Sequence, residues 1–119
     1  YGYTTKKNQN TLQSVKKHKY TNLFFSPGHS DITSHINFKL FNEFLKKKNL
    51  NKKKIINQSE FLKRIGILER ANILSKKMTF KEKANLFYRM KKLLDYNEMG
   101  DLFKVIFAQK KEGKFSLGF

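Results

Sequence analysis

The stretch that decides the fold class reads Phe103-Lys104-Val105-Ile106-Phe107-Ala108-Gln109. It is rich in Val, Ile and Phe, which favour strands, so it predicts a largely buried strand. Shorter strand signals occur at residues 55–57 and at residues 1–3, where a strand is expected to run into a loop by about residue 7. Three short strands cannot close a sheet among themselves. They therefore predict an α/β fold in which only part of a larger sheet is present.

Four helices are predicted from apolar residues that recur at helical spacing. They cover residues 11–19, 37–49, 59–65 and 68–76. Asn37 is a suitable N-cap for the second of these helices. Gly66 is suited to the left-handed conformation that commonly follows the last turn of a helix, here the third.

A fifth helix is predicted over residues 80–95, and its start carries the clearest local signal. Thr79 and Glu82 have the spacing of a capping box, in which each side chain bonds the backbone N–H of the other residue. The helix has one predicted apolar stripe, formed by Phe80, Ala84, Phe87, Met90 and Leu94. Turns are expected at residues 24–28, which contain Pro27 and Gly28, and at Met99-Gly100.

The chain of 119 residues is strongly basic, with a formal net charge of +17. A charge of this size first suggests a nucleic-acid binder. Only Arg64, Arg70 and Arg89 are arginines, however, and the other cations are lysines. Because arginine binds phosphates and bases better than lysine does, this composition favours a lysine-rich solvated surface. A small basic nucleic-acid-binding module is kept as the alternative function.

Several kinds of chemistry lack their sequence motif. The chain has no cysteine, which excludes disulfides and thiol catalysis. Its six glycines have no phosphate-loop spacing, and no nucleophile elbow is present. His29, Asp31 and His35 lie close together, but their spacing is not that of a known metal motif, so no metal site is predicted.

The most polar segment of the chain runs from Ser26 to Phe38 and leads into the helix that is predicted to start at Asn37. A loop that leads into a helix N-terminus is a natural place to hold a polar ligand. The same residues could instead form a surface turn in which Asp31 or Thr33 caps the local backbone. The pattern alone favours the surface turn, and the ligand-binding loop is kept as the second interpretation.

Blocks of sequence along the whole chain resemble one family. They are Tyr1-Gly2-Tyr3, Thr11-Leu12-Gln13, Pro27 to Phe38, Asn57 to Ala71, Glu98 to Val105 and Gly118-Phe119. In this order they are similar to the C-terminal part of the MidA-type S-adenosylmethionine (SAM)-dependent methyltransferases. The sequence departs from the family at Asn37, where an aspartate is common. The acidic residue that usually precedes the Tyr-Gly-Tyr block is not part of this chain.

The resemblance implies a class I, Rossmann-like methyltransferase fold, of which residues 1–119 are a C-terminal fragment and residues 59–95 a helical insertion. It implies S-adenosylmethionine as cofactor, with the main glycine-rich binding loop upstream of this chain. The fragment alone is then expected to be inactive. The family includes a mitochondrial protein that methylates an arginine of a respiratory complex I subunit. The resemblance therefore implies a protein substrate. It also implies a location in the bacterial cytoplasm, or in the mitochondrial matrix if the protein is eukaryotic.

Five residues are the candidates for the site. Tyr1, Gly2 and Tyr3 are expected at the carboxyl end of a strand, where doubly wound folds bind their ligands. Their rings could flank the transferred methyl group, and Gly2 would allow a close backbone approach. Asp31 is the candidate to pair with an acceptor guanidinium, and His35 to accept a proton or orient the acceptor. A separate possibility is that residues 59–95 bind another protein.

Overall fold

The computed structural model describes residues 1–3, 10–25 and 27–119. These residues form two compact units, Tyr1–Phe44 and Leu45–Phe119. The loop expected between residues 4 and 7, and Ser26 of the expected turn, lie outside the described residues. Within the described part of the chain, no helix is both long enough and apolar enough to cross a membrane.

Five short strands form two small sheets in the first unit. They are β1 (Gly2–Tyr3), β2 (Gln13–Lys16), β3 (Lys19–Thr21), β4 (Asp31–Thr33) and β5 (Ile36–Asn37). The strand β1 pairs with β5 in parallel. The strand β2 lies between β3 and β4 and is antiparallel to both.

The predicted helix over residues 11–19 is wrong, because this segment is the β2–β3 hairpin. Lys17 and His18 form its two-residue loop, with φ of 49° and 62°. Positive φ at both loop residues gives the twist that a tight hairpin needs, and it is incompatible with a right-handed helix. On the inner face, the buried Ser14 shares a hydrogen bond of 3.0 Å with Thr21 across the strand pair.

The helix α1 (Phe38–Lys47) confirms the prediction that a helix begins after Asn37. The Asn37 side chain accepts a hydrogen bond from the backbone N–H of Leu40, so it caps the helix as expected. Phe38 and Leu45 are buried, whereas Phe41 and Phe44 of the predicted apolar face are partly exposed and stack on each other.

Four strands of two residues each lie in the second unit. They are β6 (Asn51–Lys52), β7 (Ile56–Asn57), β8 (Lys104–Val105) and β9 (Ala108–Gln109). The pairs β6–β9 and β7–β8 are both antiparallel. The strand predicted over residues 103–109 is therefore divided, since its two ends pair with different partners. It is also only half-buried, contrary to the prediction.

Four helices fill the rest of the second unit. They are α2 (Gln58–Arg64), α3 (Ile67–Ser75), α4 (Phe80–Leu94) and α5 (Met99–Leu102). The prediction for Gly66 is confirmed, with φ of 86°, and the Thr79–Glu82 capping box is present. The predicted turn at Met99-Gly100 is instead the first turn of α5. Gly100 packs there against the end of α4, where a Cβ atom would lie 2.4 Å from the carbonyl oxygen of Leu94.

The helix α4 begins where predicted and ends one residue earlier, and of its predicted apolar face only Met90 and Leu94 turn inward. Met90 is buried, but Phe80 is 89% exposed and Phe87 is 47% exposed. The half-buried Leu86 and Leu93 take their place beside Met90. The inward face of α4 is therefore rotated away from the predicted stripe and toward Leu86, since adjacent residues lie about 100° apart around a helix.

Aromatic rings join the last residues of the chain to this unit. The ring of Phe119 lies 5.5 Å from that of Phe61 and 5.4 Å from that of Phe107. Gly118 makes this possible, because it has φ of 79° and a Cβ atom there would lie 2.6 Å from the Phe61 ring. The three rings thus hold residues 118–119 against α2 and the segment between β8 and β9.

Candidate functional site

The parallel pair β1–β5 brings the first residues of the chain beside the end of the polar segment. Gly2 is paired with Ile36, and Tyr3 with Asn37. The backbone N–H of Ile36 donates a hydrogen bond of 3.0 Å to the carbonyl oxygen of Tyr1. A Cβ atom at Gly2 would lie 2.0 Å from the carbonyl oxygen of Ile36. Only glycine therefore allows this backbone approach.

His35 lies next to this strand pair and is held by two contacts. Its ring meets the ring of Tyr1 edge-on, with centroids 4.8 Å apart and planes at 77°. Its backbone N–H donates to the hydroxyl of Thr11 over 3.2 Å. These contacts fix the position of the backbone and restrict the orientation of the imidazole.

Gln13 and Thr33 extend this group of residues into the three-stranded sheet. The Gln13 side-chain amide donates a hydrogen bond of 3.1 Å to the Tyr1 hydroxyl oxygen. Thr33 faces Gln13 across the β2–β4 pair. The Thr33 hydroxyl is buried and has no hydrogen-bond partner among the described residues. A buried hydroxyl in this state would gain by bonding a polar ligand atom, because leaving it unpaired is costly.

The structure brings four of the five predicted site residues together. Tyr1, Gly2 and Tyr3 lie on or beside β1, and His35 precedes the paired strand β5. Asp31 lies instead at the start of β4, opposite Val15, with an exposed side chain. It belongs to the same unit, but it takes no part in the contacts between Tyr1 and His35.

The sequence assigned no role to Thr11 or Gln13, and it indicated Thr33 only as part of the polar segment and as a local cap. The signal for Thr11 and Gln13 was available, since both lie in a block that carries the family resemblance. The hydrogen bonds that these two side chains make require this segment to be extended as in β2, whereas the sequence predicted a helix here. No sequence signal marks Thr33 as a buried hydroxyl.

Lowered pKa values occur in the second unit. The hydrogen bond from the Lys104 ammonium lowers the pKa of Asp101. The hydrogen bonds from Thr79 in the capping box lower the pKa of Glu82. Both shifts reflect local hydrogen bonds near helix ends and not a catalytic environment. Among the described residues, no group of three or more His, Asp or Glu side chains could hold a metal ion.

Comparison with known proteins relates the first half of the chain to an enzyme family. Residues 1–56 match the family described as "Putative S-adenosyl-L-methionine-dependent methyltransferase". The match covers β1 to β5 and therefore every candidate residue. A comparison with curated proteins gives no match.

Two solved structures from Burkholderia thailandensis resemble the fold. One is an uncharacterized protein that is 27% identical, with a TM-score of 0.77 over 99% of this chain. The other, described as a "likely methyl transferase" bound to S-adenosyl-homocysteine, is 28% identical, with a TM-score of 0.71 over 91% of this chain. The chain spans 33% and 28% of the length of these two proteins. It is thus similar, over almost all its residues, to a part of methyltransferase-like proteins with a mixed α/β fold.

Proposed function

We propose that this chain is the C-terminal part of a SAM-dependent methyltransferase and that β1 and β5 form one wall of its methyl-transfer site. The observation that carries the proposal is the close backbone approach at Gly2, which places the Tyr1 ring against His35. These residues lie within the region matched by the methyltransferase family. One similar protein was solved with S-adenosyl-homocysteine bound.

The residues present suit such a cofactor. An aromatic face attracts a sulfonium cation as it attracts an ammonium, and Tyr1 offers one beside His35. The buried Thr33 hydroxyl offers a polar atom that still lacks a partner among the described residues. SAM, when bound, supplies an electrophilic methyl group. The main glycine-rich loop for it is expected upstream of Tyr1, so the 119 residues alone are expected to be inactive.

His35 and Asp31 have different parts in the proposal. His35 is held by Tyr1 and Thr11, so its imidazole can accept or donate a hydrogen bond without first being ordered. Asp31 is exposed and can meet a substrate from solvent. A carboxylate pairs with the two N–H groups of a guanidinium in a planar arrangement, which would fix the acceptor nitrogen.

The finer assignment is an arginine of a protein substrate, in the setting of respiratory complex I assembly. Its support is the ordered resemblance of sequence blocks, together with an exposed carboxylate at Asp31. A location in a bacterial cytoplasm or the mitochondrial matrix goes with this proposal. The proposal that residues 59–95 are a helical insertion fits the three helices α2, α3 and α4, which occupy this range.

The test is methyl transfer by the protein made from its complete reading frame. Tritiated SAM is supplied with two short peptides that differ only in one arginine or lysine. We expect label on the arginine peptide, and Asp31→Asn should lower kcat/KM by roughly tenfold or more, as loss of a charged hydrogen-bond partner does. Glu43→Gln, which also removes an exposed carboxylate of the first unit, is the matched control.

Two results would count against these assignments. Equal kcat/KM for Asp31→Asn and the unchanged protein would remove Asp31 from the site. Label on the lysine peptide alone would refute the arginine acceptor while leaving methyl transfer in place.

A further inference from the structure

We propose that the β2–β3 hairpin and the turn after it are a docking surface for an acidic, extended segment of a partner protein. This hairpin surface consists of residues 12–14 and 17–25. Gln13 in its wall also bonds Tyr1 of the candidate site, but the apolar and cationic side chains of the hairpin surface are not candidate site residues, so the proposal does not depend on methyl transfer.

The hairpin surface contains an open groove with an apolar lining. Its volume is about 370 Å³, and its walls are Leu12, Gln13, Ser14 and the segment from Tyr20 to Phe24. Leu12 is 46% exposed, Tyr20 78% and Phe24 84%. Large apolar side chains that are this exposed and adjacent commonly mark an interaction surface. The groove is large enough to take one aromatic or aliphatic side chain.

The polar side chains in the groove wall are already used within the fold. Gln13 donates to Tyr1, and the hydroxyls of Ser14 and Thr21 bond each other. Asn22 accepts a hydrogen bond from the backbone N–H of Phe24. With these groups in use, a nucleobase could be held only by stacking on Tyr20 or Phe24 and not by its edges, whereas an apolar side chain needs no hydrogen-bonding group. The groove therefore favours an apolar side chain.

The strand β3 offers a way to hold the backbone of the partner. In the described part of the chain it is the outer strand of its sheet, with β2 on one side only. An outer strand presents backbone N–H and C=O groups to which an extended peptide can add as a further strand. Such an added strand would run past Tyr20 and place alternate side chains at the groove.

The tip of the hairpin supplies positive charge in a strained conformation. Lys17 and His18 occupy the left-handed region, with φ of 49° and 62°, where Asn and Gly are normally found. For residues with a Cβ atom this conformation costs about 1 kcal/mol each. Lys17 and Lys19 are both exposed. The hairpin tip thus carries a lysine and a histidine at two positions where Asn-Gly would be more stable. This local loss of stability supports a binding role for the tip.

These features together select an acidic peptide. A second copy of the chain is disfavoured, because two molecules of net charge +17 repel each other. A nucleic acid would meet the lysines, but it could not add to the edge of β3, and the hairpin surface has no arginine. An acidic extended segment with one large apolar residue would pair with the edge of β3, fill the groove and neutralise the lysines at the hairpin tip.

The test is fluorescence anisotropy, on the protein made from its complete reading frame, with a labelled peptide of alternating glutamate and valine that carries one central phenylalanine. We expect saturable binding that weakens with salt. Lys17→Glu with Lys19→Glu should weaken binding about tenfold, since each reversal replaces an attraction by a repulsion. Lys110→Glu with Lys111→Glu makes the same change in net charge at exposed lysines that are not part of the hairpin surface, and it should leave binding within twofold of the unchanged protein.

A second variant separates docking from folding. Lys17→Asn with His18→Gly should raise Tm by about 5 °C, because it relieves the left-handed strain. The same variant should weaken peptide binding. Three outcomes would overturn the proposal: no binding of the acidic peptide, equal loss in the Lys110–Lys111 control, or equal binding when the central phenylalanine is replaced by serine. Tighter binding of a short oligo-uridine through the same lysines would also overturn it, in favour of nucleic acid.

Discussion

Replacing Gly2 by alanine should open the β1–β5 pair. The new Cβ atom would lie 2.0 Å from the carbonyl oxygen of Ile36 and 2.8 Å from its carbonyl carbon and nitrogen. Real contacts of a Cβ atom do not fall below 3.0 Å. The two strands must therefore separate by about 1 Å, which stretches the 3.0 Å hydrogen bond between Ile36 and Tyr1.

The cost can be estimated from the contacts that depend on this pair. Loss of the Ile36–Tyr1 hydrogen bond costs about 1 kcal/mol. Weakening of the edge contact between Tyr1 and His35 costs roughly 0.5–1.5 kcal/mol. The lower backbone entropy of alanine in the unfolded chain offsets about 0.4–1 kcal/mol. We therefore expect a net loss of about 1 kcal/mol in the free energy of unfolding, which is a fall in Tm of roughly 5 °C.

The assay is urea unfolding together with S-adenosyl-homocysteine binding, both with the protein made from its complete reading frame. Gly113→Ala is the matched control, because its Cβ atom would meet only the end of the Gln109 side chain, which can rotate away. We expect no loss of stability in the control and weaker ligand binding in Gly2→Ala. If Gly2→Ala kept both the stability and the ligand affinity of the unchanged protein, the close approach of β1 to β5 would be refuted.

Three further changes test the second unit. Gln58→Leu removes a 3.0 Å hydrogen bond to the carbonyl oxygen of Leu93 near the end of α4, and urea titration should show a loss of about 1–2 kcal/mol; an unchanged midpoint would contradict this. Thr79→Ala should cost about 1 kcal/mol through loss of the cap. Because the folded-state pKa of Glu82 is lowered, its stabilising effect is present above its unfolded pKa of about 4.5 and is lost as pH falls through the lower folded value. The Thr79→Ala variant should therefore lose less stability than the unchanged protein on acidification below pH 4.5, and an identical pH dependence would argue against the capping box. Phe119→Ala should lower stability by roughly 1–2 kcal/mol in the same titration, since its ring is half-buried against two others.

The sequence predicted those elements whose signals are local. Asn37 and the pair Thr79 and Glu82 cap their helices as expected, because a cap depends on residues within one turn. Gly66 has the left-handed conformation for the same reason. The family resemblance named Tyr1 to Tyr3, Asp31 and His35 as site residues; the parallel pairing brings all of them except Asp31 together, and their role in a site stays a prediction.

The β2–β3 hairpin could not be predicted because its signals are non-local or unusual. Its loop has Lys17 and His18 where Asn-Gly would have marked a turn. Its most buried residue is Ser14, which is polar and is satisfied only by Thr21 across the strand pair. Leu12 and Val15 at helical spacing therefore misled the interpretation of the whole segment.

The position of the apolar face of α4 also depended on tertiary packing. The sequence of α4 offers two apolar stripes, one through Phe80 and Phe87 and one through Leu86, Met90, Leu93 and Leu94, and the prediction followed the first of these. Packing against α2, α3 and α5 decides between them in favour of the second. The division of residues 103–109 into β8 and β9 follows from pairing with two different strands and is equally non-local.

The central claim is that β1 and β5 form a wall of a SAM site, and amide chemical shifts test it most directly. The protein from the complete reading frame, labelled with nitrogen-15, is titrated with S-adenosyl-homocysteine. We expect shift changes concentrated at Gly2, Tyr3, His35 and Ile36, with little change at Lys17 and His18. Saturating ligand that leaves the first four amides unmoved would contradict it.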